Sequence, residues 1–330
     1  MSKFSLKDIL AETLKRTDLS KDERDDLIRA QEKLQNMKIN ILVTGATGCG
    51  KSSTINALFN GDIAKVGQGV DPETMDIQKY DWENLVIWDS PGLGDGKEAD
   101  ERHSRNIINK LLEKDTNGNA LIDVVLVILD GGSRDLGTSY ELITEVIIKT
   151  LQESGEHGTD RLLVAINQCD MAMKGRYWNH ETNRPEPTLE NFLEEKVAST
   201  RNRIRESTGV TVNPIYYSAG FKDGNADQRP YNISRLLRHI IENTPSKKRA
   251  IYAENINADK IRTDTHRKRR EEQKKIEDNI FNSLSELVGG AQKVVSAVVD
   301  TIGSVVSSAA SAVASVGRSI VSTISSWFSW

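Results

Sequence analysis

The sequence predicts a doubly wound α/β domain with helical segments before and after it. The first observation is a series of short apolar runs that end in glycine or a polar turn: INILVTG from Ile39, LVIWDSPG from Leu85, VVLVILDGG from Val124, LLVAINQCD from Leu162 and NPIYYSAG from Asn213. Such runs read as strands buried on both faces. The second is the set of helical stretches between them, at 51–59, 100–113, 139–153, 190–207 and 232–243. Strands alternating with helices build a parallel sheet with ligands at the carboxyl ends of its strands. The third is that every glycine-rich or acidic turn of interest falls at such an end.

The elements follow in order. Residues 5–36 read as helix, with Ser20 to Glu23 (SKDE) forming a capping box ahead of RDDLIRAQEKL. The α/β pattern occupies 37–245 and is interrupted by a polar stretch at 174–189, KGRYWNHETNRPEPTL, which reads as an inserted surface loop. A charged helix is expected over 246–283, then a Ser/Val/Ala-rich helical tail over 284–330. The expected segments are therefore 1–36, 37–245, 246–283 and 284–330.

Charge narrows the function classes. The net charge is −4, so the chain as a whole is no basic nucleic-acid binder. Residues 247–275 nevertheless carry eleven Lys/Arg against five Asp/Glu, which suggests a local anionic partner. The two cysteines, Cys49 and Cys169, form no disulfide framework and no zinc spacing. The N-terminal MSKFSLKDILAETLKR lacks the apolar core of a secretory signal, so the expected location is cytoplasmic.

Gly45-Ala-Thr-Gly-Cys-Gly50-Lys51-Ser52 matches G-x-x-x-x-G-K-[ST] between a strand and a helix, the context a P-loop requires. Its glycines, Gly45, Gly48 and Gly50, let consecutive N–H groups converge on a phosphate, aided by the helix dipole. Lys51 is expected on the β- and γ-phosphates and Ser52 on Mg2+, with Ser53 beside them. Asp89 ends a strand and is a second candidate Mg2+ ligand. Gly92 can offer its N–H to a γ-phosphate. Thr74, in VGQGVDPETM, ends a glycine-containing loop and is a third candidate ligand for the metal, closing only while the γ-phosphate is present.

Asn167 and Asp170, in INQCD, identify the base. A carboxylate accepts two hydrogen bonds from guanine N1–H and its exocyclic amine, whereas adenine offers no such donor pair. Ser218 and Ala219 follow the next strand, where a backbone N–H can meet guanine O6. The expected ligands are GTP and GDP with Mg2+.

Gly45–Ser52, Thr74, Asp89–Gly92, Asn167–Asp170 and Ser218–Gly220 resemble, in order, the five motifs of the translation-factor-related (TRAFAC) P-loop GTPases, nearest the Era/septin-like branch. GATGCGKSSTINALF, DPETM, DSPGLGDG and INQCD are similar to small bacterial, often prophage-type, GTPases labelled ribosome-binding. The resemblance covers about residues 37–245. It implies an α/β P-loop GTPase domain with a mostly parallel sheet, here with N-terminal helices and a long C-terminal helical extension. It also implies a switch whose hydrolysis is assisted by self-association or a partner.

Three positions depart from the pattern. Gln168 stands where the family usually has a lysine whose stem packs over the base. Leu93 follows Gly92, where small signalling GTPases carry the glutamine that orients water. Gly48 stands where potassium-activated relatives carry asparagine. Cis catalysis by either of those last two routes is therefore not expected. Arg102, His103 and Arg105 follow the Asp89 loop; they read as a solvated first helical turn, with action across a homodimer as the alternative. The two cysteines read as small side chains filling tight turns.

The tail repeats apolar residues at helical spacing from Leu284 to Trp327, opposite a face of mostly serines. Three readings stand: attachment to a membrane surface with help from the basic run at 267–275, packing against protein, and a transmembrane span. The span is weakened by its length, since the charge-free stretch between Asp300 and Arg318 is only 301–317. An RNA- or ribosome-associated assembly factor and a self-assembling structural protein remain as other functional classes.

Overall fold

The computed structural model describes residues 6–59, 76–82, 84–93, 96–155, 157–220, 229–289, 294–295 and 297. Its centre is a six-stranded sheet in the order β2-β3-β1-β4-β5-β8. The strands are β1 (Ile39–Gly45), β2 (Gln78–Trp82), β3 (Leu85–Asp89), β4 (Val124–Asp130), β5 (Leu162–Asn167) and β8 (Ile215–Tyr216). All neighbours run parallel except β2, which pairs antiparallel with β3 at the edge.

Alternation along each strand sends side chains to two core layers. Ile41, Val43, Leu126, Ile128 and Ala165 belong to one, and Leu42, Val125, Val127, Val164 and Ile166 to the other. The first layer is covered by α3 (Lys51–Leu58), α8 (Ile233–Asn243) and α11 (Arg269–Leu287), together with α1 (Leu6–Thr13) and α2 (Lys21–Asn36). The second is covered by α4 (Lys97–Leu112), α7 (Pro187–Thr208) and a helix that runs through α5 (Gly137–Glu141), a π-helical stretch (Leu142–Ile148) and α6 (Lys149–Glu153). Each fully buried Leu, Ile or Val side chain contributes about 1.5–3 kcal/mol from removal of its surface from water.

Four regions differ from the sequence expectation. The 5–36 helix is two helices. Arg24 ties off the break by donating to the carbonyls of Leu14 (2.6 Å) and Arg16. The Ser20 capping box then starts α2, with Glu23 N–H on Ser20 Oγ at 3.3 Å and Ser20 N–H on Glu23 Oε2 at 2.7 Å. The surface loop at 174–189 is instead a small hairpin, β6 (Trp178–Asn179) and β7 (Arg184–Pro185), running into α7 at Pro187. Trp178 is buried edge-on against Tyr231. Residues 246–283 form a 3-10 turn (Ser246–Ile251), α9 (Tyr252–Asn255) and α10 (Ala258–Thr263) before α11, rather than one helix. Finally, β2 had no counterpart in the sequence reading.

The root of the tail packs on the protein. Leu284, Leu287, Val288, Val294, Val295 and Ala297 are buried in the same cluster as Leu10, Leu19 and Leu27. Arg16 Nη1 lies 3.5 Å from the Ala297 carbonyl oxygen. Residues 298–330, which hold most of the apolar stripe, lie outside the described residues. Among the described residues no helix is long and apolar enough to cross a membrane.

Candidate functional site

The P-loop leaves β1 at Gly45 and enters α3 at Lys51. Gly50 is left-handed (φ 90°), and a Cβ there would lie 2.2 Å from Asn167 Nδ2. Glycine is thus required both for the turn and for the approach of the base-side strand. Lys51 Nζ folds back onto the carbonyls of Gly45 and Ala46, each at 3.2 Å. Ser52 and Ser53 are half-buried in the first turn of α3. Thr54 anchors that turn, donating to Gly50 O at 2.8 Å and meeting the buried Tyr217 hydroxyl at 2.7 Å.

Asp89 lies at the end of β3, 1% exposed, with neither carboxylate oxygen hydrogen-bonded. Burial pushes its pKa up to about 6, partly opposed by the Lys51 ammonium. A buried, unpartnered carboxylate costs free energy unless a cation or donor meets it. A divalent cation such as Mg2+ is the kind of group such a carboxylate fits. Ser90 fixes the start of the loop, its Oγ donating to Thr44 Oγ1 at 2.7 Å. Gly92 then presses on the P-loop: a Cβ would sit 2.2 Å from Thr47 Oγ1 and 2.5 Å from Thr47 N. Thr47 N–H donates to Leu93 O at 3.1 Å. Thr74 lies outside the described residues.

The base side is assembled from β5 and β8. Asn167 is buried and double-bonded: Nδ2 donates to Cys49 O at 2.9 Å, and Oδ1 accepts from Ala219 N–H at 3.1 Å. It therefore ties the P-loop to the Ser218–Gly220 turn. Gln168 adopts a left-handed backbone (φ 57°) and donates from Nε2 to Gly48 O at 2.8 Å. Gln168 thus links this motif to the P-loop. Asp170 Oδ1 is buried with no hydrogen-bond partner. Ser218 Oγ accepts from Gly220 N–H at 3.3 Å.

Gly45, Gly48, Gly50, Lys51, Ser52, Ser53, Asp89, Gly92, Asn167, Asp170, Ser218 and Ala219 all fall at the carboxyl edge of the parallel strands. Cys49 and Cys169 are fully buried, and burial raises both thiols, so neither is a reactive thiolate. The reading of His103 as solvated is corrected. It is 2% exposed, with Nδ1 3.2 Å from Gly92 O and Nε2 buried without a partner. Arg102 and Arg105 are exposed. Sequence reasoning missed Thr47 and His103 as parts of the Gly92 loop. The signal for Thr47 was its place in the P-loop string; for His103 no local signal existed.

Residues 40–168 match the family described as 50S ribosome-binding GTPase. The mouse (Mus musculus) mitochondrial 5-taurinomethyluridine-[tRNA] synthase subunit GTPB3 is 25% identical over 138 residues, taking in 40% of this chain but only 26% of that protein. Among solved structures, a probable GTP-binding protein engB is 25% identical, covering 62% of this chain and 97% of its own, at a TM-score of 0.34. Toc33 from Arabidopsis thaliana, in complex with Mg2+ and GMPPNP, is 17% identical, covering 72% and 97%, at 0.43. Both superpose loosely, so the assignment rests on the 40–168 match together with the ordered motifs and the β2-β3-β1-β4-β5-β8 sheet. On that basis residues 40–168, less than half of the chain, are a segment similar to the P-loop GTPases.

Proposed function

We propose that the chain is a translation-factor-related P-loop GTPase, binding GTP and GDP with Mg2+ and hydrolysing GTP to GDP and phosphate, and that it works as a molecular switch with slow turnover of its own, accelerated when a second copy or a partner meets its nucleotide edge. In this reading Lys51 and Ser52 hold the phosphates and metal, Asp89 and Thr74 complete the metal shell, Gly92 senses the γ-phosphate, and Asn167, Asp170, Ser218 and Ala219 hold guanine. The observation that carries the switch is the direct bond between the P-loop and the Asp89 loop, Thr47 N–H to Leu93 O at 3.1 Å. A phosphate gained or lost at the P-loop then acts on the Gly92 segment through a shared hydrogen bond, the usual basis of an ordered–released loop transition. Slow turnover follows from Leu93, a buried apolar side chain with nothing to orient water.

The proposed location is cytoplasmic, with the far tail at a membrane surface. Arg267, Lys268, Arg270, Lys274 and Lys275 are exposed and free to face anionic headgroups, at about 1 kcal/mol for each charge near the surface. Burial of Leu284, Leu287, Val288, Val294, Val295 and Ala297 supports protein packing for the root of the tail, so membrane attachment is proposed only for 298–330. RNA would attract the same charges, and scoring lipid and ribosome fractions separately distinguishes the two.

The switch is tested by turnover. Dilute protein is expected to hydrolyse GTP at about 10⁻⁴ s⁻¹, as small GTPases do without an activator, and its specific activity should rise with protein concentration. Lys51→Ala should remove nucleotide binding while the far-UV circular dichroism stays unchanged. Fast turnover independent of concentration would show that a cis-acting group supplies the catalysis.

A further inference from the structure

The turn that follows β8 is held from a distant part of the chain. Ser218 and Tyr231 exchange two backbone bonds, Ser218 N–H to Tyr231 O at 3.0 Å and Tyr231 N–H to Ser218 O at 2.9 Å. Tyr231 begins the approach to α8. Its neighbours are gripped by Asp264, which is 1% exposed and lies beyond α10. Asp264 Oδ1 accepts from Asn232 N–H at 2.8 Å and Oδ2 from Ser234 N–H at 2.9 Å. Asn232 passes the grip to β8, its Nδ2 donating to Tyr216 O at 2.7 Å.

The two residues after Asp264 reinforce it. Thr265 N–H donates to Pro230 O at 3.1 Å, and Thr265 Oγ1 donates to Asn183 O at 2.7 Å. Arg184 Nε donates back to Thr265 O at 2.5 Å. The His266 ring meets Tyr231 edge-on at 5.3 Å. From Asp264 a continuous set of bonds runs through Asn232 and Tyr231 to Ser218, and through Ala219 N–H to Asn167.

We propose that Asp264, supported by Thr265, is a positioning residue for the guanine pocket. The segment 264–266 sets where Ser218 and Ala219 stand. The physical reason is that both carboxylate oxygens are committed to backbone donors in a buried place. Removing the carboxylate leaves the N–H groups of Asn232 and Ser234 without acceptors, and the turn they anchor must shift. This rests on the guanine reading of Asn167, Asp170, Ser218 and Ala219.

The test compares three variants by release of fluorescent GDP, by the ratio of GDP to 6-thio-GDP affinity, and by melting temperature. 6-Thio-GDP replaces guanine O6 with a weakly accepting sulfur, so that ratio reports the backbone donor that Ser218 and Ala219 bring to O6. Asp264→Ala should speed GDP release by about tenfold or more, as expected for loss of a charge-assisted bond, and should bring the two affinities together. Asp264→Asn keeps one acceptor and should recover part of the effect. Asp123→Asn weakens the partly buried ion pair to Lys248 (2.7 Å) at the amino end of β4, away from the nucleotide end of the strands. It should lower the melting temperature without changing either nucleotide readout. Should Asp264→Ala fail to fold, Thr265→Val takes its place, with a smaller rise in release rate expected. The proposal is overturned if the folded Asp264 or Thr265 variant melts earlier yet releases GDP within about twofold of the parent with the GDP/6-thio-GDP ratio unchanged. If the parent protein itself fails to prefer GDP over ADP, the guanine reading fails instead, so the two failures are distinguishable.

Discussion

Asp170 is the residue on which base choice depends in this reading. Its Oδ1 is buried without a hydrogen-bond partner, and its carboxylate is assigned the guanine N1–H and exocyclic amine, a donor pair that adenine lacks. GDP should therefore bind about 10³-fold or more tighter than ADP, because adenine leaves a buried acceptor unpaired. Asp170→Asn should lose GDP affinity and gain affinity for xanthine nucleotides, since the amide donates to the extra carbonyl; competition against a fluorescent nucleotide measures both. Equal binding of ADP and GDP by the parent chain is the outcome that refutes it. At this scale the site was largely legible, because its chemistry needs particular residue types at fixed spacing: three glycines, a lysine, carboxylates at strand ends. His103 and Thr47 were not legible as parts of the Gly92 loop. Their contacts, His103 Nδ1 on Gly92 O and Thr47 N–H on Leu93 O, join residues that only the folded chain brings together.

Among elements, the central strands announce themselves because burial on both faces demands unbroken apolar runs. The edge strand β2 (QKYDW) has mostly exposed or half-buried positions, with Tyr80 and Trp82 only partly packed on the core, so no apolar run marks it. The β6–β7 hairpin has two residues per strand, too few for a period to show. The junction of α8 and α11 is a polar example of the same difficulty. Arg238 bridges Glu242 (2.6 Å) and the buried Glu272, and its guanidinium donates to His239 Nε2 at 3.0 Å. Burial, then the charges of Arg238 and Arg235, lowers the His239 pKa from its ordinary 6.5 to about 4. The unfolded chain protonates first as pH falls, so this histidine makes the fold less stable between about pH 6.5 and pH 4 and has no effect above that window. His239→Gln should flatten the fall in urea midpoint over that range, by on the order of 2 kcal/mol at its acid end. An unchanged pH profile in the variant would falsify the assignment of this acid sensitivity to His239.

For the whole molecule, the decisive question is what covers the tail beyond Ala297. Cutting the chain at Pro245 would not answer it. Such a cut removes Ile276, Ile280, Leu284 and Leu287, which are buried in one cluster with Leu236, Leu237, Ile240 and Ile241 of α8, and each lost core side chain of that size costs about 2–5 kcal/mol. A chain ending at Ala297 keeps that packing and removes only the remaining stripe. If the stripe inserts at a headgroup boundary, the full chain should float with anionic vesicles and the shortened chain should not. Two weak attachments acting together, apolar insertion and the exposed basic run, are what reversible anchoring needs. Val298→Asp with Val305→Asp should release the full chain by charging the apolar stripe, whereas changing Arg318 on the polar face should do little. Neutralising Arg267, Lys268 and Arg270 should weaken flotation mainly at low salt, because ions screen exposed charges over about 10 Å at 0.1 M. If neither chain floats and the full chain instead runs as a discrete oligomer that the shortened chain cannot form, the stripe is a protein interface and the membrane reading is wrong.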